Sequence, residues 1–104
     1  MTAFVANTNN LELFGLQNAS NGAYVNDATV NVTVKDLSGV NVSGETWPIS
    51  MNYVSGSNGN YRCVLSNNLS FSPGMIYTAN ISVNAGVNRI ANWSYDFRTL
   101  TRKD

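Results

Sequence analysis

Apolar and polar residues alternate along most of this chain. Over residues 28–35, Val30, Val32 and Val34 are interleaved with Thr29, Asn31, Thr33 and Lys35. A period of two puts the two sets on opposite faces of a strand, one set buried and one wet. The same period recurs three times further on. Trp47, Ile49, Met51 and Tyr53 oppose Ser50 and Asn52; Tyr61, Cys63 and Leu65 form the inward face of a returning strand; Tyr77, Ala79, Ile81 and Val83 oppose Thr78, Asn80, Ser82 and Asn84. A last strand sets Ala91, Trp93, Tyr95 and Phe97 inward against Asn92, Ser94, Asp96 and Arg98. Leu11, Leu13 and Leu16 predict a first strand, with a break at Phe14-Gly15 of the kind that marks a bulge.

Turn residues punctuate these segments. Asn21-Gly22, Asn26-Asp27, residues 36–39 (D-L-S-G), Asn67-Asn68 and residues 85–88 separate one alternating run from the next. Asn58-Gly59 between two such runs predicts the tightest hairpin. Pro48 lacks a ladder donor and belongs at a strand's start or on an edge. No segment carries a helical apolar period. Short, evenly spaced strands of this kind predict an all-β fold, a single sandwich of about seven strands. The organisation expected is a flexible N-terminal arm over residues 1–10, a sandwich over 11–100 and a tail over 101–104.

Residues 69–84 read L-S-F-S-P-G-M-I-Y-T-A-N-I-S-V-N. Leu69, the Pro73-Gly74 turn and Tyr77, followed by an alternating strand, resemble the entry to the penultimate strand of immunoglobulin-like and fibronectin-like sandwiches. In those folds the tyrosine hydrogen-bonds backward to the chain at a corner between sheets. The Cys…Trp…Cys spacing of antibody domains is missing, so the resemblance is to disulfide-free branches. Together with G-A-Y-V-N-D-A-T-V-N-V-T-V-K-D-L-S-G earlier in the chain, the pattern over about residues 10–100 resembles small immunoglobulin-like virion proteins of tailed bacteriophages. That resemblance implies a capsid decoration, neck or tail accessory protein with no active site.

Composition narrows the chemistry. Six basic and six acidic residues cancel, and only 12% of the 104 residues are charged, about half the usual share. No basic field for nucleic acid or an anionic membrane follows from this. Little repulsion opposes self-association. The first residues show no basic region with an apolar run, so no secretory signal is expected, and the chain is expected to be made in a reducing cytosol. Asn-x-Ser/Thr at Asn18, Asn31, Asn41, Asn68, Asn80 and Asn92 is then a by-product of alternation in an Asn-rich chain.

The chain has no histidine, which removes the commonest general base and most zinc or copper ligand sets. Cys63 faces inward and reads as a buried, inert thiol. The carboxylates are Glu12, Asp27, Asp36, Glu45, Asp96 and Asp104. Asp27 and Asp36 flank one strand and belong at opposite ends of it, and only Glu12 and Asp96 are candidates to meet. No catalytic residue, cofactor or metal site is therefore expected.

Most aromatics alternate with polar residues and read as core. Phe4, Phe14 and Tyr24 fall outside the clean strands, and with Val5 they are the candidate partner contacts. The function expected is a non-enzymatic virion component, made in the bacterial host cytoplasm, that contacts capsid, neck or tail proteins and other copies of itself. The alternatives are a carbohydrate-binding or adhesion module and a small enzyme.

Overall fold

The computed structural model describes residues 2–18, 21–86 and 90–101, and in these it is all β. Seven strands form: β1 (Thr2–Phe4), β2 (Asn9–Leu13), β3 (Thr29–Asp36), β4 (Ile49–Tyr53), β5 (Tyr61–Leu65), β6 (Ile76–Asn84) and β7 (Ile90–Leu100). They join into one mixed sheet in the order β1-β7-β6-β3-β4-β5-β2. Only β1 and β7 run parallel; the other neighbouring pairs are antiparallel.

β4 is the joint of this sheet. Residues 49–51 pair with β3, whereas Asn52 and Tyr53 pair with β5. The sheet bends over there, nearly into a barrel, and its two halves close on one core. The alternation explains what enters that core. Val30, Val32 and Val34 of β3 are buried, as are Tyr77, Ala79, Ile81 and Val83 of β6, Leu11 of β2, and Tyr61, Cys63 and Leu65 of β5. A buried aliphatic or aromatic side chain contributes roughly 1.5–3 kcal/mol over leaving it in water.

Buried polar groups hold the connections. The Tyr61 hydroxyl donates to the Val25 carbonyl at 2.7 Å and accepts from the Ala28 N–H at 3.2 Å. This pins the long β2–β3 connection onto β5. After the Pro73-Gly74 turn, the Tyr77 hydroxyl accepts from the Ser72 N–H at 2.7 Å, the backward bond expected at that corner. Its ring packs 4.8 Å from Phe71, and Phe71 meets Phe97 edge-on at 5.9 Å. Among the described residues no buried side-chain nitrogen or oxygen lacks a partner.

Three expectations meet something different. Where a flexible arm over residues 1–10 is expected, residues 2–4 form β1, Ala3 is fully buried, and the Val5 N–H donates to the Leu100 carbonyl at 2.9 Å. Ala3 and Val5, two residues apart, supply a short inward face that the apolar Phe4 and Ala6 beside them obscure. The expected tail falls outside the described residues apart from Thr101, and the turn over 85–88 is described only in part.

Asn58-Gly59 is not the hairpin's turn. The connection spans residues 54–60, and its tight bend is at Ser55-Gly56, where the Ser57 N–H donates to the Val54 carbonyl. Gly59 instead lets two backbones touch: its carbonyl accepts from the Leu16 N–H at 2.9 Å, and its N–H donates to Asn26 Oδ1 at 2.8 Å. The third difference is on β7. Phe97 is 3% exposed, as an inward residue should be, but Ala91 and Tyr95 are half-buried and Trp93 is 43% exposed.

Candidate functional site

The partly bare face of β7 borders a groove. Its walls are residues 12–17, from the end of β2 and the start of the connection after it, and Ile81, Trp93, Ser94 and Tyr95 from β6 and β7. Its volume is about 430 Å³. Phe14 stands on one wall at 67% exposure and Trp93 on the other. The floor includes Ile81, which is buried, and Leu13, which is half-buried.

Both walls end in strand edges. β2 lies at one end of the sheet order and pairs only with β5. β7 pairs with β6 along its length up to Arg98, but on its other side β1 covers only Arg98, Thr99 and Leu100. Among the described residues, the edge of β7 from 90 to 97 therefore has no strand beside it. Such an edge is a row of backbone donors and acceptors that another chain can extend. The usual protections against this are sparse: no proline and no lysine lies in either strand.

The groove gathers only one of the four residues singled out from the sequence. Phe14 lines it. Tyr24 is 47% exposed on the β2–β3 connection, where it bridges to Gln17. Phe4 is 37% exposed at the end of β1, its N–H held by Asn9 Oδ1 at 2.9 Å, and Val5 packs half-buried against the core. Sequence reasoning missed Trp93 and Tyr95, which it assigned to the core on alternation alone. The available signal was the Phe14-Gly15 break, which ends β2 early while β7 runs on.

The opposite surface of β3, β6 and β7 is a polar grid. The strand register sets Thr33 beside Asn80 and Asn80 beside Ser94, and sets Asn31 beside Ser82 and Ser82 beside Asn92. Ser94 Oγ donates to Asn80 Oδ1 at 2.6 Å, and Thr78 Oγ1 donates to Asp96 Oδ1 at 2.8 Å. Thr33, Asn80, Ser82, Asn92 and Ser94, with Lys35, Asn41, Ile81 and Trp93, line a shallow depression of about 460 Å³.

The titratable groups are dispersed. Glu12 and Asp96 are exposed, each adjacent in its strand to inward-facing residues, so the structure does not bring them together over the core. Asp27 precedes β3 and Asp36 ends it. Asp36 is a turn former: its Oδ1 accepts from Ser38 Oγ at 2.6 Å, from the Ser38 N–H at 2.9 Å and from the Val40 N–H at 3.0 Å. These bonds, led by the Ser38 hydroxyl, hold its carboxyl below the usual range. Burial pushes the Cys63 thiol up to about 11. Burial, and then Cys63 facing it, raise the Tyr95 hydroxyl above its ordinary range. Among the described residues no three of Cys, Asp and Glu are grouped so as to hold a metal ion.

No family model, curated protein or solved structure matches this chain. Its function is therefore argued from the groove, the polar grid and the fold alone.

Proposed function

We propose that this chain is a non-enzymatic, immunoglobulin-like β-sandwich domain that serves as a structural component of a tailed-phage virion. In this reading it decorates the capsid or forms part of the neck or tail, through contacts with other virion proteins and other copies of itself. The observation that carries an assembly role is the groove: among the described residues, two strand edges with no strand beside them flank exposed Phe14 and Trp93 on a domain of zero formal net charge. Exposed apolar walls between open edges suit a protein surface better than a small polar substrate.

The immunoglobulin-like reading has its own support. The strand orders β4-β5-β2 and β3-β6-β7 correspond to the two faces of such a sandwich, with β1 added beside β7. The Tyr77 corner bond falls at the start of β6, the penultimate strand. The virion assignment rests on the sequence resemblance and on the nearly uncharged polar surface. It is tested on particles: virions from the source phage are purified on a density gradient and probed for this protein. Co-sedimentation in many copies supports the reading, and absence from particles removes it.

A second reading has one observation in its favour. The grid of Asn, Ser and Thr on β3, β6 and β7 offers neutral donors and acceptors at strand spacing, which suits the hydroxyls of an uncharged glycan. A glycan array distinguishes the two: binding lost in Asn80→Ala and kept in Phe14→Lys favours the glycan module.

A further inference from the structure

The groove poses a packing problem that the chain's described residues do not solve. β7 turns Ala91, Trp93 and Tyr95 toward the core side; Ala91 and Tyr95 pack half-buried against the core, but Trp93 is left 43% exposed beside the end of β2. Meanwhile β1 begins a ladder on the outer edge of β7 and supplies it for three residues only. Among the described residues no strand lies on that outer edge of β7 ahead of Arg98, where the ladder would continue. We propose that an extended segment of a partner polypeptide enters this groove, continues the β1 ladder along β7 between β7 and β2, and sets its alternate apolar side chains against Phe14, Trp93 and Tyr95. The inference rests on the assembly reading above and names the form the partner takes there.

The features of the groove select this occupant. A segment lying there hydrogen-bonds to the β7 edge through its backbone, which is sequence-tolerant, while the apolar walls select residues at every second position. Among the described residues Glu12 is the only formally charged one on the walls, so they offer no basic contact for a phosphate backbone, and an acidic segment is disfavoured. A second folded copy brings edges already built into its own sheet. It meets this molecule edge to edge, which leaves the inner face of Trp93 uncovered.

The test uses the whole chain in two formats. A short segment alternating valine and threonine, with a lysine at each end, is fused directly ahead of Thr2, where the β1 ladder points it along β7. The same segment is also added as a free, blocked peptide. The control segment has the same composition with its valines grouped together. Fusion supplies a millimolar-range effective concentration, so low affinity does not hide the contact. The readout is amide hydrogen exchange by NMR, with tryptophan emission alongside. The alternating segment is expected to slow exchange at the outward edge amides of residues 90–97 by about tenfold or more. It is also expected to shift the emission to the blue, and Phe14→Lys reverses both effects. No protection in the fused format, or equal protection by the control, overturns the proposal. Concentration-dependent protection of these amides with no segment added overturns the named occupant and assigns the groove to a second copy. Presence in virions is scored separately, so protection without incorporation removes the virion reading and leaves strand acceptance standing, while incorporation without protection does the reverse.

Discussion

Gly59→Ala and Gly56→Ala form a matched pair within one loop. Both glycines have left-handed backbones, at φ +70° and +80°. Forcing alanine into that region costs roughly 1–2 kcal/mol, offset by about 0.4–1 kcal/mol because alanine also restricts the unfolded chain. A Cβ on Gly56 meets open space, so a net loss of about 1 kcal/mol or less is expected there. A Cβ on Gly59 lies 2.5 Å from the Leu16 carbonyl oxygen and 2.7 Å from the Leu16 nitrogen. Both are backbone atoms, so no side-chain rotation relieves the overlap. The loop must move and weaken the Leu16-to-Gly59 bond at 2.9 Å and the Gly59-to-Asn26 bond at 2.8 Å. At about 0.5–1.5 kcal/mol each, these add roughly 1–3 kcal/mol to the strain. The assay is urea unfolding followed by circular dichroism. With an m-value of about 1–3 kcal/mol per molar, the Gly59→Ala midpoint should fall about 1 M further than that of Gly56→Ala. Equal midpoints would refute the close approach of residues 16 and 59.

On β7, Phe97→Ala should cost about 3–5 kcal/mol and Trp93→Ala clearly less, because Phe97 is 3% exposed and Trp93 43%; a reversed order by denaturant midpoint would show that Trp93 is core. Asp36, whose carboxyl is lowered by its bonds to Ser38 and Val40, contributes stability that is fully present above the unfolded carboxylate range and is lost as pH falls through the folded value. Asp36→Asn should therefore flatten the acid limb of a thermal-melt series, and an unchanged limb would remove the linkage. Cys63, buried with its thiol near 11, should resist iodoacetamide at pH 8 in the native protein and react once urea unfolds it; rapid native alkylation would place it at the surface.

Alternation carried most of the architecture. The strands expected around Val30–Val32–Val34, Tyr61–Cys63–Leu65 and Tyr77–Val83 form with those residues buried, because a wrong register would turn a whole apolar face to water. The Pro73-Gly74 turn was legible from local chemistry, and the Tyr77 bond was implied by the resemblance to immunoglobulin-like sandwiches. What was not legible depends on partners distant in sequence. Gly59 looked like a hairpin residue, since nothing local announces that Leu16 lies against it. Trp93 looked like core, since its own strand cannot report that the facing layer stops short. β1 was hidden because three residues are too few to display a period. Of the groove, only Phe14 was readable in advance, as a large aromatic outside the clean alternation.

The incomplete cover over β7 also limits how tightly the proposed strand can be held. Aromatic side chains bury about 150–250 Å² each, so the exposed shares of Trp93 (43%) and Phe14 (67%) amount to roughly 100 and 130 Å². At about 25 cal/mol per Å², covering both completely gains roughly 6 kcal/mol. Association of a separate segment costs an estimated 4–15 kcal/mol, before its own residues are ordered. The apolar walls therefore do not hold a free strand tightly by themselves. Edge hydrogen bonds at about 0.5–1.5 kcal/mol each bring the balance to a low-affinity contact. Presented on an assembly that already fixes both partners, the same contact pays no second association cost and becomes stable. Under this proposal the contact forms where neighbours present a strand, and it needs no charged surface or catalytic group.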